Sequence, residues 1–220
     1  MHRLLLARGA HGLEPLLAEA RRRHVPIESV DRGRLDHLTK QAHHQGVAAE
    51  VEPFTYSHVD ELLARDHAPL LLVLDSLQDP QNFGTLLRTA QAVGADGVVI
   101  AEHRAVAVTP AVSNASAGAV EHLQVARVTN LARTLADLQQ RGVWVYGLAV
   151  EAAQPYYATD FSGPVALVVG SEGAGLSRLV RERCDVLVQI PMASGAVQSL
   201  NASVAGSLVL YEAFRQRQPR

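Results

Sequence analysis

The stretch "LLLVLDSLQDPQNFGTLLRTAQAVGADGVVIA", Leu70 to Ala101, decides the fold. Its opening "LLLVLD" (70–75) is apolar at every position before Asp75, the pattern of a strand covered on both faces. Asp79-Pro80 makes a turn, and Phe83, Leu86, Leu87, Ala90 and Val93 then recur at helical spacing, which predicts a helix over about 82–94. "GVVIA" (97–101) is a second short apolar strand. Strand, helix and strand in this order form the repeating unit of a mostly parallel α/β sheet.

The pattern continues outward in both directions. Downstream strands read at "LQVARV" (123–128), "VWVYGLAV" (143–150), "VALVVG" (165–170) and "VLVQI" (186–190), with helices near 130–141, 174–183 and 199–216. Upstream, "RLLLA", "LEPLLAEARRR", "VPIESV", "RGRLDHLTK" and "GVAAEV" predict a separate small β-α-β-α-β unit over residues 1–53. Residues 54–69, ending at Pro69, read as a connecting helix or linker, and residues 70–220 as the main domain. Ligands of open parallel sheets bind beyond the carboxyl ends of the strands, so the loops after 75, 150, 170 and 190 are where a site belongs.

Composition narrows the possibilities. Across 220 residues, 48% are apolar, enough for a substantial core without cross-links. The net charge of −2 supplies no global basic field for nucleic acid, although a local patch could act alone. Lys40 is the only lysine, so positive charge is carried almost wholly by arginine, the better bidentate partner for phosphate. Cys184 is the only cysteine, which excludes an intrachain disulfide or a multi-cysteine metal site and fits a reducing, cytoplasmic setting. The apolar run near the N-terminus is too short for a signal peptide, and no stretch reaches membrane-spanning length.

Three loops carry candidate chemistry. In the first, Asn82 is placed either to cap its helix or to serve a site, and Arg88 either to grip a phosphate or to be an ordinary surface arginine. The second, "VVGSEGAGLS" (168–177), is a glycine-rich turn between strand and helix. It lacks the lysine of a phosphate-binding loop and the glycine spacing of a dinucleotide fold. Glu172 within it would repel phosphate; it reads as a cap or as an acceptor for a hydroxyl or amide. The third, "IPMASGAVQSLNASVAGSLVLYEAF" (190–214), places Ser199 at an N-cap position and Asn201 just inside a helix. That helix is apolar on several faces, with Val204, Leu208 and Tyr211 on one stripe, which predicts packing on its own sheet and on a second subunit. With no acid–base histidine pair and no metal cluster, this set suits the positioning of a polar substrate beside a reactive cofactor.

The elements "DPQNFGTLLRTA", "VVGSEGAGLS" and "IPMASGAVQSLNASVA", in this order over about 150 residues, resemble the three motifs of the SpoU (TrmH) family of RNA 2′-O-ribose methyltransferases. "HHQGV" (43–47) and "SNASAGAVEHLQVARVTNL" (113–131) resemble the RlmB-type branch, which methylates a guanosine of 23S ribosomal RNA. The resemblance implies an S-adenosylmethionine-dependent homodimer, RNA as partner, and an α/β fold closed by a C-terminal trefoil knot. It assigns Asn82, Arg88, Glu172, Ser199 and Asn201 to catalysis, and Gly170, Ile190, Met192 and Leu200 to the cofactor. Residues 1–53 match the family's RNA-gripping domain, where "ARRRH" (20–24), His43 and His44 are candidate phosphate contacts. For Arg21 to Arg23 a solvated helix end is the competing reading.

Because a guanidinium stays protonated in proteins, Arg88 reads as an electrostatic clamp, not the base that the family proposal makes it. Two departures stand out. The loop from Pro191-Met192 to "SLN" is one residue longer than the usual pattern, which puts the roles of Ser194 and Gly195 in question. A further helix and strand usually precede "RLLLARGAHG", so either the N-terminal domain is trimmed or its start has been called late. The competing functions are a transfer-RNA methyltransferase of the same fold and a catalytically silent RNA-binding protein.

Overall fold

A computed structural model describes residues 1–218 apart from 42, 194 and 196–198. The chain divides into two compact units, Met1–Thr55 and Tyr56–Arg220.

The first unit is a three-stranded sheet. Strand β1 (Arg3–Ala7) pairs in parallel with β2 (Ile27–Val30) and antiparallel with β3 (Val47–Glu50). Helices α1 (Glu14–Arg22) and α2 (Arg32–Leu38) connect them. Leu5, Ala7, Val30 and Leu35 form its small core.

The second unit is a seven-stranded sheet in the order β6-β5-β4-β9-β7-β10-β8, parallel throughout. Its strands are β4 (Leu70–Leu74), β5 (Gly97–Ala101), β6 (Val125–Val128), β7 (Trp144–Leu148), β8 (Gln154–Pro155), β9 (Val165–Val169) and β10 (Val186–Gln189). β4 and β9 are buried at every position, as strands covered on both faces must be. Alternate residues point to opposite faces. Leu71, Val73, Ala166 and Val168 join a cluster with Leu62 of α3 (Val59–Leu63), Leu131, Leu135 and Leu138 of α6 (Leu131–Gln140) and Val180 of α7 (Arg178–Arg181). On the other face α4 (Pro80–Ala92) packs against α5 (Pro110–Ala115) and α8 (Ala202–Arg217). Close approach there depends on two glycines. A Cβ on Gly84 would lie 2.4 Å from Ala115 Cβ, and one on Gly206 would lie 2.6 Å from Leu86 Cδ2.

The chain leaves β4 toward β5 on one side and leaves β9 toward β10 on the other. The crevice between the carboxyl ends of β4 and β9 is therefore the switch point where ligands of open α/β sheets bind.

Several boundaries differ from the sequence expectation, each for a local reason. Helix α4 starts at Pro80, not 82, because Asp79 is the cap, accepting from Gln81 N at 3.1 Å and Asn82 N at 3.2 Å. The helix expected over 174–183 is a single turn at Arg178–Arg181. Gly173 (φ +78°) and Gly175 (φ +65°) take the left-handed conformation and hold the preceding residues in a turn. Helix α8 begins at Ala202 with Asn201, not Ser199, as its N-cap. The short edge strand β8 was not expected; its Pro155 is tolerated at the sheet margin.

The last turn of α8 is tied to the far end of the sheet. The Arg217 guanidinium donates to the carbonyls of Phe161 (3.0 Å), Ala68 (2.9 Å), Pro69 (3.2 Å) and Gly163. Gln216 Oε1 accepts from Phe161 N at 2.7 Å, and its Nε2 donates to Thr159 O at 2.9 Å.

Candidate active site

Three loops meet at the carboxyl ends of β4, β9 and β10, and each delivers one polar side chain to the same point. On the first, Asp79 caps α4 and so releases Asn82 from that duty. Asn82 is 7% exposed, and its Nδ2 donates to Glu172 Oε1 at 2.6 Å.

The second loop is a closed turn. Ser171 and Gly175 exchange backbone hydrogen bonds of 3.1 and 2.9 Å, lifting Glu172 at the tip. Gly170, one of the cofactor candidates, has its Cβ position filled by Gly175 C at 2.2 Å and Leu176 N at 2.5 Å. Its lack of a side chain is thus required by the fold of the turn itself.

On the third loop Asn201 has two functions. Its Oδ1 accepts from Ser203 N (2.9 Å), Ser203 Oγ (2.6 Å) and Val204 N (3.3 Å), capping α8. Its Nδ2 donates to Glu172 Oε1 at 2.5 Å and to Asn82 Oδ1 at 3.0 Å. Two amides thus converge on one carboxyl oxygen of Glu172, which accepts from both. Oε2 takes part in none of these bonds.

The remaining candidates stand apart from this cluster. Ser199 lies exposed two residues before Asn201, with no side-chain hydrogen bond among the described residues. Arg88 is exposed and carries no ion pair among them. Six residues beyond Asn82, it sits about 9 Å along α4 and about 120° around it. Thr89, one residue further, lies nearly under Asn82 and meets Ser207 of α8 at 2.8 Å. Ile190 and Met192 are half-buried and Leu200 is 37% exposed, giving the third loop an apolar lip. Gly195 is exposed, and Ser194 lies outside the described residues.

Cys184 is not chemically poised. Burial, with the Asp185 charge as a lesser cause, pushes its thiol up to about 12. Its sulfur sits where a Cβ on Gly147 would be, 2.6 Å away, so it is a packing residue.

In the first unit the paired histidines separate. His43 is exposed, whereas the His44 side chain is 5% exposed; its Nε2 meets Asp36 Oδ1 at 2.8 Å and its Nδ1 accepts from Gly46 N at 3.0 Å. His44 therefore pins the turn before β3 and has no nitrogen left for a phosphate. Arg22 and Arg23 both bond Glu19, whose carboxyl those hydrogen bonds pull down to about 2. Such exposed pairs are worth little and compete with an outside anion.

One residue of the site region was missed: Asp75, buried at 3% exposure directly after β4. The only signal in the sequence was an acid closing a wholly apolar run.

Residues 69–211 match the profile of the SpoU rRNA Methylase family, and residues 1–57 match that of the RNA 2′-O ribose methyltransferase substrate-binding domain. The chain belongs to the SpoU methylase family. Within it, the chain is 48% identical over 204 residues to YacO of Bacillus subtilis, named for the TrmH family, covering 91% of this chain and 81% of that one. It is 48% identical over 210 residues to the 23S rRNA (guanosine-2′-O-)-methyltransferase RlmB of Pseudomonas putida, covering 94% and 84%. Among solved structures, the SpoU methyltransferase AviRb of Streptomyces viridochromogenes in complex with AdoMet superposes with a TM-score of 0.81 at 29% identity, covering 98% and 83%. Among the described residues no helix is long and apolar enough to cross a membrane.

Proposed function

We propose that this SpoU-family protein is an RNA 2′-O-ribose methyltransferase whose substrate is a guanosine of 23S ribosomal RNA in the cytoplasm. The observation that carries this reading is the Asn82–Glu172–Asn201 cluster at the switch point of the sheet. S-adenosylmethionine is the cofactor, as in the related AviRb complex. The local chemistry fits it: one carboxylate held by two amides, no cation bonded to them among the described residues, and the apolar Ile190, Met192 and Leu200 on the adjoining loop. Gly170 belongs to the same cofactor edge. When bound, the cofactor supplies an electrophilic methyl group on a cationic sulfur.

The chain's own residues position and polarise. Asn82 and Asn201 hold Glu172 by Oε1, leaving Oε2 to accept from a ribose hydroxyl or from the cofactor. Ser199, exposed two residues before Asn201 on the same loop, offers a hydroxyl to the incoming substrate. Arg88, unpaired among the described residues, binds the phosphate next to the target ribose and stabilises negative charge developing on the 2′-oxygen as its proton passes to Glu172 Oε2. Arg88 clamps and does not act as the base.

The protein works as a homodimer. Val204, Leu208 and Tyr211, 47%, 40% and 53% exposed, form an apolar stripe along α8 opposite its buried face, and Leu200, 37% exposed, lies on the loop just before that helix. The C-terminal segment is knotted, a reading supported by the return of α8 against α4 and β9. The first unit grips the RNA, with His43 and Arg21, exposed and unpaired among the described residues, as its candidates. Identity to RlmB over 94% of the chain favours ribosomal over transfer RNA.

Mapping 2′-O-methylation of ribosomal and transfer RNA from cells lacking the gene tests this directly. Loss at one large-subunit guanosine is expected. Loss on a transfer RNA would reassign the substrate, and an unchanged map would overturn the activity.

A further inference from the structure

Among the described residues Asp75 is the only charged residue in the buried set, at 3% exposure. Burying a carboxylate is costly unless its oxygens are satisfied, and no cation pairs with this one among those residues. Instead Oδ2 accepts from Ser177 N at 2.6 Å and Oδ1 accepts from Ser76 Oγ at 3.1 Å. Ser76 takes a left-handed conformation (φ +59°), a strain of about 1–2 kcal/mol for a residue with a Cβ.

The backbone of Asp75 is engaged as well. Its N–H donates to Val169 O at 2.9 Å. One residue thus holds both ends of the glycine-rich turn: Val169, just before it, through the main chain, and Ser177, just after it, through the side chain. Between those two anchors lie the Ser171–Gly175 bridge and Glu172.

We propose that Asp75 is a positioning residue for methyl transfer: by stapling Val169 to Ser177 it fixes the height of the turn at which the Glu172 carboxylate reaches both Asn82 and Asn201. Asp75 meets no substrate and acts only through Glu172. The inference rests on the proposed methyltransferase reading, since positioning is defined by that reaction. An acid that only completed hydrogen bonding at a strand end would contribute to stability and leave turnover alone.

The test uses the full chain with tritiated S-adenosylmethionine and a transcribed 23S RNA fragment, following kcat, both KM values, thermal stability and hydrogen exchange of residues 170–176. Asp75→Ala and Ser177→Pro cut the same bond from its two sides. Proline suits position 177, where φ is −62° and the serine side chain makes no cap bond, so the exchange removes mainly the N–H. Each is expected to lower kcat about 10- to 100-fold, the scale of an ångström-level misplacement. The double variant should be no worse than the poorer single one. Asp75→Asn, which keeps an acceptor for Ser177 N, should recover most of the loss. In a Glu172→Ala background Asp75→Ala should change kcat less than twofold, a result that a purely structural role does not produce. Turnover within twofold of the parent in both Asp75→Ala and Ser177→Pro would overturn the inference, as would a full independent loss in the Glu172→Ala background. Should the parent protein methylate no RNA at all, the functional reading fails, and exchange decides the staple separately. Faster exchange of 170–176 in both variants supports it, and unchanged exchange overturns it.

Discussion

The side-chain amide of Asn201 donates to Asn82 Oδ1 at 3.0 Å, joining the N-cap of α8 to the first turn of α4 across 119 positions of sequence. Both residues also donate to Glu172 Oε1, so a fold junction and a candidate active site share the same atoms. Rigidity at this point is useful to a reaction that depends on alignment.

The two functions of Asn201 can be separated. Asn201→Ser keeps a competent cap oxygen but loses the amide that holds Glu172. Stability should fall by about 1–2 kcal/mol in urea titration: serine and asparagine cap similarly, but the buried Asn82 Oδ1 loses its donor. Methyl transfer should drop on the order of 100-fold. Equal stability with unchanged turnover would reduce Asn201 to a cap.

The four-carbonyl cradle of Arg217 should matter for stability and not for chemistry. Arg217→Ala takes a donor from each of the carbonyls at 68, 161 and 163, while Pro69 O keeps Val165 N at 2.8 Å, at a cost of about 2–3 kcal/mol. Lysine, with a point charge in place of a planar fork, should rescue only part. A lowered urea midpoint with an unchanged slope is the expected readout.

Glycine replacements should split by environment. Gly84→Ala drives a methyl to 2.4 Å from Ala115 Cβ and 2.8 Å from Ser116 N, so α4 and α5 must part. A loss of about 1–3 kcal/mol is expected. Gly33→Ala, within α2 and with nothing inside 4 Å, should gain about 0.5–1 kcal/mol. Urea titration of both variants checks the pair.

Cys184 should resist iodoacetamide at pH 8 in the native protein and react readily in urea. Its thiol is raised from 9.0 to about 12 by burial and its Sγ–H donates to Val180 O at 3.4 Å. The sign for stability follows. Below about pH 9 the thiol is protonated in both states and its contribution is complete. Between about 9 and 12 the unfolded chain releases the proton first, so the urea midpoint should fall with rising pH across that window. A Cys184→Ala protein should lack that component of the slope.

Much of the architecture was legible because it depends on periodicity. The all-apolar runs 70–74 and 165–169 could only be strands covered twice, and the amphipathic spacing after Pro80 could only be a helix on their flank. Helix ends were less legible, because capping is decided by which side chain reaches the free amides. Asp79 took the cap expected of Asn82, and Asn201 took the one expected of Ser199. His44 read as a candidate phosphate contact, yet Asp36 and Gly46 occupy both its nitrogens.

By itself the sequence determined the sheet, its order of helices, the three polar loops and the family they resemble. All of that is written in local spacing and motif. Only the tertiary structure decided that Asn82, Glu172 and Asn201 form one hydrogen-bonded cluster while Arg88 stands off it on another face of α4. It also decided that Asp75 holds the glycine turn from both ends. Those relationships join residues up to 119 positions apart, and no local pattern carries such a distance, because side-chain hydrogen bonds are fixed by how strands and helices pack in space.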